Sequence, residues 1–171
     1  TADPKLVPQA HTLPELSYAE AEELAYFGAN VLHPKTVGPL AQAGIDLRVL
    51  NSFQPQHPGT LIVCQPTVGR HVLPAIISTE NLSLVEVSGN GVGWSLVLAA
   101  RALQALAEAG LEVFMFSQAF SERSLNLVIP RHDQAHGIRV LERALEHELQ
   151  SGTLSHIGVE EEVAAISVVG M

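Results

Sequence analysis

The sequence predicts an α+β fold, and three observations support this expectation. Hydrophobic residues make up 47% of the 171 residues and charged residues 16%, which is enough apolar surface to bury a core. Strand-like and helix-like segments follow one another in the order βαββαβ between residues 82 and 160. Glycine and proline fall between these segments, where they mark turns. This order is typical of an antiparallel sheet with two helices on one face, the ferredoxin-like arrangement.

The first part of the chain predicts two short helices ahead of this unit. Three prolines exclude a helix from residues 1–16, which we expect to be extended. Ser17 and Glu20 form an S-x-x-E capping box that opens the first helix. Pro34 suits the first position of the second helix, and Gly44 suits its end.

Short apolar runs bounded by glycine, proline or asparagine predict seven strands. They are residues 47–50, 61–64, 82–88, 111–116, 124–130, 157–160 and 163–169. Two longer helices with an apolar stripe are expected between the later strands. The first begins at Ser95 and ends at Gly110, and the second begins after Asp133 and continues to about Gln150. Their expected core-facing residues are Leu96, Ala99, Leu103, Leu106, Ile138, Leu141, Leu145 and Leu149.

Charge and cysteine content narrow the range of partners. A formal net charge of −9 argues against nucleic acid and anionic membranes as partners. No apolar run approaches the roughly 20 residues that a membrane-spanning helix needs.

Cys64 is the one cysteine, so an internal disulfide is excluded and we expect a cytoplasmic protein. His132 and His136 are four residues apart but lack the neighbouring glutamate of a zinc-binding helix, so we expect no metal site.

A glycine-rich turn, Gly89-Asn90-Gly91-Val92-Gly93, lies between a predicted strand and a predicted helix. Free backbone N–H groups at a helix N-terminus bind anions, so one interpretation is a site for the carboxylate of a small amino acid. The alternative is a tight turn without a ligand. A dinucleotide-binding motif is excluded, because Trp94 stands where the last glycine of G-x-G-x-x-G would have to be.

Two segments of the first part resemble the catalytic domain of aspartokinases, and the run from Ser17 to Ile62 is the most specific part of this resemblance. Residues 27–34, F-G-A-N-V-L-H-P, are similar to the family's F-G-A-K-V-L-H-P, and residues 1–5, T-A-D-P-K, to its T-x-D-P-R. The resemblance implies a weak remnant of a nucleotide site at Lys5 and Asn30. Lysine cannot fork onto a phosphate as arginine does, and asparagine carries no charge.

The same resemblance implies that the catalytic machinery is elsewhere in a longer parent protein. ATP and magnesium are the cofactors of the parent kinase, whose substrate is aspartate, and no cofactor and no catalytic residue are expected in this chain. Phosphoryl transfer depends on positioned charges, so the isolated chain is expected to be inactive as a kinase.

Residues 117–124, S-Q-A-F-S-E-R-S, resemble the Q-x-x-S-E motif of the ACT domains that follow the kinase domain in aspartokinases. In that family this strand and the glycine turn form an effector site for lysine or threonine. The resemblance implies an effector site made of Asn90, Gly91, Val92, Gly93, Gln118, Ser121 and Glu122. Val92 and Trp94 depart from the family's G-x-G-M-x-G turn, and Trp94 could fill the cavity in place of a ligand.

The resemblance further implies four segments. They are the C-terminal portion of the kinase domain (1–64), a linker and strand (65–81), an ACT domain (82–162) and the first strand of a second, truncated ACT domain (163–171). The apolar ending A-A-I-S-V-V-G-M is most like aspartokinases fused to homoserine dehydrogenase and suggests a fragment. We expect a regulatory segment that senses threonine, or alternatively lysine, and forms a homodimer through its ACT sheets alongside the rest of the aspartokinase chain. The alternative is an ACT module that binds no ligand and serves only dimerisation.

Overall fold

The structure, a computed structural model, describes residues 1–27, 32–66, 75–90, 95–119 and 123–170. The chain divides into two compact units, Thr1–Thr79 with Ile166–Met171, and Glu80–Ala165. A three-stranded sheet lies in the first unit, and a four-stranded sheet has most of its residues in the second.

The first unit combines short strands with two helices. Its elements are β1 (Glu15–Ser17), α1 (Tyr18–Tyr26), α2 (Pro34–Ala43), β2 (Leu47–Val49) and β3 (Thr60–Val63). The central strand β3 is parallel to β1 and antiparallel to β2. The buried residues that join helices and sheet are Tyr18, Ala21, Val37 and Ile62. β1 was not predicted, because residues 1–16 show only an extended, proline-interrupted pattern.

Local signals set the helix ends in the first unit as the sequence predicts. The Ser17 side chain accepts a hydrogen bond from the backbone N–H of Glu20, and the Glu20 carboxylate accepts one from the backbone N–H of Ser17. Pro34 is the first residue of α2, where a missing N–H costs nothing. Gly44 ends α2 in the left-handed conformation with φ 65°. These three predictions are confirmed.

The second unit has the predicted βαββαβ order. Its elements are β4 (Ala75–Gly89), α3 (Leu96–Glu108), β5 (Met115–Ala119), β6 (Ser124–Pro130), a 3-10 turn (Arg131–Asp133), α4 (Gln134–Ala144), α5 (Glu146–Gln150) and β7 (Leu154–Val169). The sheet order is β5-β6-β4-β7, and β6 is antiparallel to both β4 and β5. This is the strand order of the ferredoxin-like arrangement, and the predicted fold class is confirmed.

One face of the four-stranded sheet packs against α3 and α4. Alternate residues of β4 and β6 point to this face, because successive side chains of a strand point to opposite sides. The buried residues of this core are Val85, Val87, Leu98, Ala99, Ala102, Leu106, Leu125, Leu127, Ile129, Leu141, Leu145 and Leu154. We call this side the helix face and the opposite side the outer face. Gly137 of α4 allows close packing, since a Cβ there would lie 3.1 Å from Ile129 Cδ1.

The predicted helices of the second unit need three corrections. Leu96 is 65% exposed, and α3 instead buries Leu98 and Ala102, because an almost wholly apolar helix offers more than one possible core-facing stripe. Asp133 precedes α4 as predicted, but its side chain makes no capping hydrogen bond. The single predicted helix to Gln150 is interrupted at Leu145, where α4 ends and α5 follows.

The strand predictions also need correction. β4 begins at Ala75 rather than residue 82, and β5 begins at Met115 rather than residue 111. β7 is one strand where two were predicted with an acidic connection at residues 160–162. Glu162 within it has φ 60°, and Asn81 within β4 has φ 59°. A left-handed residue bends a strand and strengthens its twist without ending the pairing, as in a β-bulge, so both strands continue.

Candidate effector site

Three strand ends meet at one end of the four-stranded sheet. Ala119 of β5 is opposite Ser124 of β6, which is opposite Ser88 of β4. The backbone N–H of Gly89 donates to the Arg123 carbonyl at 2.9 Å and closes this end. Ser95, at the start of α3, follows five residues after Asn90 in the chain.

The predicted glycine turn is described only in part. The backbone N–H of Asn90 donates to the Thr153 carbonyl at 2.8 Å, and that of Gly89 is also engaged, so neither is free for a ligand. The Asn90 side chain is exposed. The other predicted effector contacts, Gly91, Val92, Gly93, Ser121 and Glu122, lie outside the described residues, as does Trp94.

Gln118 is the predicted effector contact that the structure places in full. It is opposite Leu125 in the ladder between β5 and β6, and therefore lies on the helix face. Its side-chain Nε2 is buried and, within the described part of the chain, has no hydrogen-bond partner. A buried donor without an acceptor is uncommon in native proteins, and it matches a ligand that supplies an oxygen.

The N-terminus of α3 is an anion-attracting group that follows the glycine turn in the sequence. Ser95 occupies the N-cap position in extended conformation but makes no side-chain capping hydrogen bond. The first turn of α3 contains no acidic residue. The first N–H groups of a helix have no partner within the helix and carry its positive end. Among the described side chains, none compensates this end of α3, so it suits a ligand carboxylate.

Sequence reasoning missed Ser124, which begins β6. The residue is 1% exposed, and its Oγ has no hydrogen-bond partner in the described structure. Register places Ser124 on the outer face with Ser88, whereas Gln118 lies on the opposite, helix face. The signal was present in the sequence, because polar Ser124 and Asn126 alternate with apolar Leu125 and Leu127.

Of the two residues of the predicted nucleotide remnant, the structure describes Lys5. Lys5 lies exposed in a turn, where its backbone N–H donates to the Asp3 carboxylate at 2.8 Å. Asn30, its predicted partner, lies outside the described residues.

A polar contact joins the helices of the second unit. The Arg101 guanidinium of α3 forms an ion pair with the Glu148 carboxylate of α5 and also donates to the Ala144 carbonyl. Burial raises the pKa of Glu148, but hydrogen bonds from Arg101 and the backbone, with the charges of Arg101 and His147, outweigh it and lower that pKa. The contact is remote in sequence from the predicted site and fixes α5 against α3.

Two further features concern the parts of the chain that the structure describes. None of the helices there is long and apolar enough to cross a membrane. The same residues contain no group of three or more His, Cys, Asp or Glu side chains that could hold a metal ion.

Both parts of the chain match known protein families. Residues 1–51 match the amino acid kinase family, and residues 85–145 match the ACT domain family. The bifunctional aspartokinase/homoserine dehydrogenase of Haemophilus influenzae is 38% identical over 170 residues. That alignment covers 99% of this chain and 21% of the relative, so the chain spans about a fifth of the curated relative's length.

Solved structures of aspartate kinases have the same fold. Aspartate kinase from Clostridium acetobutylicum superposes with a TM-score of 0.80 at 23% identity, over 99% of this chain and 38% of that one. E. coli aspartokinase III with aspartate and ADP gives 0.73 at 26% identity, over 98% and 37%. The same enzyme with lysine and aspartate gives 0.71 at 28% identity, over 98% and 36%.

These matches agree with the order of the two units, a kinase-type segment first and the βαββαβ unit second. The chain is therefore similar to aspartokinases over its whole length, with a match to the amino acid kinase family in residues 1–51 followed by a match to the ACT domain family in residues 85–145.

Proposed function

We propose that this chain is the regulatory segment of an aspartate kinase and that it binds threonine as a feedback effector. The parent enzyme would phosphorylate aspartate with ATP and magnesium, the first step towards threonine, lysine and methionine. Its similarity to bifunctional enzymes favours a parent that also carries homoserine dehydrogenase. The proposed segments keep the predicted bounds, with the kinase portion in 1–64, a linker and strand in 65–81, the ACT domain in 82–162 and the first strand of a second ACT domain in 163–171.

The observation that carries the effector proposal is the buried, unpartnered amide nitrogen of Gln118. Gln118 pairs with Leu125 at the end of the sheet where Ser88 pairs with Ser124, and Ser88 precedes the glycine turn in the sequence. An amino acid that placed its carboxylate at the helix N-terminus would neutralise the positive end of α3. An oxygen of the same ligand could accept from Gln118. The complex of E. coli aspartokinase III with lysine provides a precedent for an amino-acid ligand in this group of enzymes.

Isothermal titration of the chain with L-threonine and, separately, with L-lysine tests this proposal. We expect saturable binding of threonine and no comparable binding of lysine. A ligand at 100 times its Kd should stabilise the fold by about 2.7 kcal/mol, which a thermal unfolding scan detects easily. Saturable lysine binding with no threonine binding would replace threonine by lysine as the effector.

The variant Gln118→Ala should abolish this binding, whereas Gln104→Ala should not affect it. Gln104 is a matched control, because it lies on α3 with an exposed side chain that donates a hydrogen bond to Glu108. Equal threonine affinity in the two variants would remove Gln118 from the site. The absence of binding in the unmodified chain would contradict the effector proposal itself.

A second candidate function is dimerisation without a ligand. It is favoured by the exposed apolar residues of the edge strand β7, Val159, Ile166 and Val168. We propose a homodimer through the sheets in either case. Sedimentation of the chain at micromolar concentration should give the dimer mass, and a monomer under these conditions would contradict it.

A further inference from the structure

One asparagine of the chain combines an exposed side chain with a glycine as its successor in the sequence. Of the five asparagines, Asn90 is the one that a glycine follows. Asn90 comes directly after Gly89, the last residue of β4, and its side chain is exposed. Its backbone N–H donates to the Thr153 carbonyl at 2.8 Å, so the main chain is held at this point while the side-chain amide is in contact with water.

An asparagine followed by glycine is open to a specific covalent reaction. The backbone nitrogen of the second residue attacks the side-chain carbonyl carbon of the asparagine and forms a C–N bond. The side-chain nitrogen leaves as ammonia and takes the proton of the attacking N–H with it. One water molecule then opens the cyclic imide at either carbonyl and gives aspartate or isoaspartate. Glycine favours the attack, because it has no side chain to obstruct it and adopts many backbone conformations.

The other asparagines that the structure describes are in less reactive settings. The Asn51 side-chain oxygen accepts a hydrogen bond from the Phe53 N–H at 2.9 Å, and a serine follows Asn51. Asn81 and Asn126 lie within β4 and β6, and each is followed by a buried leucine. A strand fixes the backbone dihedral angles and keeps its N–H groups in the ladder, which opposes ring closure. We therefore expect these three side chains to react more slowly than Asn90.

We propose that Asn90 is a site of spontaneous modification, at which its amide is converted to the carboxylate of aspartate or isoaspartate. The reaction adds a negative charge to the glycine-rich turn, which belongs to the predicted effector site. This charge repels the carboxylate of an amino-acid effector, and isoaspartate also inserts a methylene group into the main chain. Effector binding should therefore weaken as the protein ages. This consequence rests on the proposed function, whereas the modification itself does not.

Peptide mapping by mass spectrometry tests the modification on the unmodified chain, incubated in mildly alkaline buffer. We expect the Asn90 peptide to convert first, into two products that share the mass of the acid and separate by chromatography. Gly91→Ala should slow this conversion about tenfold or more, because the attack is then obstructed. The Asn51 peptide is the internal control. No conversion at Asn90, or an equal rate at Asn51, would overturn the proposal.

Isothermal titration of the variant Asn90→Asp with L-threonine tests the effect on binding. We expect Kd to rise about tenfold relative to the unmodified chain, because two like charges repel each other. Asn51→Asp is the matched control, since it adds the same charge at an exposed position of the first unit and should leave Kd unchanged. Thermal unfolding should show that both variants are folded.

The two experiments separate the modification from its consequence. Equal Kd values for Asn90→Asp and the unmodified chain would overturn the effect on binding alone. Lysine replaces threonine in the titration if lysine is the amino acid that binds. No binding of either amino acid to the unmodified chain would overturn the proposed function together with the effect on binding, whereas the peptide map would still decide whether Asn90 is modified.

Discussion

The two units of this chain differ in how their structure is specified. Among the described residues, the hydrophobic cluster between the helices and the sheet of the first unit contains four buried residues, whereas the corresponding cluster of the second unit contains twelve. The first unit nevertheless has the more explicit local signals, including a capping box, a proline at the start of α2 and a glycine at its end. Local helix-end motifs and a large hydrophobic core are separate ways to specify a fold. The first unit depends more on the local motifs, and the second depends more on its core.

The second unit shows the opposite balance. α3 lacks a side-chain cap, and α4 has an aspartate at its N-cap position that makes no capping hydrogen bond. Its helices are held by burial against the helix face of the sheet, supplemented by the Arg101–Glu148 contact. Helices that bury an amphipathic face depend less on capping hydrogen bonds at their ends, since most helical stability in proteins comes from tertiary packing.

The largest expected effect comes from removing core volume. Leu106→Ala, at a fully buried site of the second unit, should lower its free energy of unfolding by about 3 kcal/mol. Val37→Ala, in the smaller core of the first unit, removes fewer methyl groups and should cost less, about 1–2 kcal/mol. Hydrogen exchange followed by mass spectrometry reports each unit through its own peptides. Equal loss of protection in both units from either substitution would show that they unfold as one.

A smaller effect is expected from the ion pair. Arg101→Met should destabilise the second unit by about 1–2 kcal/mol near neutral pH, because the nearly buried Glu148 carboxylate loses its charged partner. The pKa of Glu148 is lowered in the folded state from a reference of 4.5. The ionised Glu148 carboxylate therefore contributes fully to the free energy of unfolding above about pH 4.5. This contribution is lost as the pH falls through the lowered pKa of Glu148 in the folded state. The difference in urea midpoint between the unmodified chain and Arg101→Met should therefore become smaller at acidic pH. Arg139→Met, at an exposed site of α4, is the control, and a difference that stays constant with pH would contradict this assignment.

The smallest effect separates the two kinds of helix start. Ser17→Ala removes the hydrogen bond to the Glu20 N–H and should destabilise the first unit by about 1 kcal/mol. Ser95 is the N-cap residue of α3, but its side chain makes no capping hydrogen bond. Ser95→Ala should therefore change the free energy of unfolding by close to zero. Chemical denaturation with hydrogen exchange at α1 and α3 checks both. A Ser95→Ala cost as large as that of Ser17→Ala would mean that α3 also depends on its cap.

Much of the secondary structure was predictable because its causes are local. The capping box, Pro34 and Gly44 act through neighbouring backbone groups, and all three are used as expected. The bounds of β6, Ser124–Pro130, also match the prediction, because a short, mostly apolar run there ends at a proline. Gln118 was predicted as a site residue through the resemblance to the ACT motif, and this assignment stays a prediction.

Non-local features were decided by packing. The sequence of α3 is apolar on most sides, so only contact with β6 and α4 selected Leu98 and Ala102 over Leu96 for the core. The continuity of β7 through Glu162 depends on its pairing within the sheet, which compensates a left-handed residue that the strand alone would not favour.

The candidate site shows the same division. The sequence alone predicted a glycine turn and a helix start near Ser95, and the resemblance to the ACT motif indicated Gln118, because each is a contiguous motif. The tertiary structure decided that Gln118 and Ser124 lie on opposite faces at one end of the sheet, and that Glu86 lies beside Ser88 and Ser124. The physical reason is register, since which strands pair, and which residues are opposite each other, is set by long-range contacts and fixes the face of every side chain.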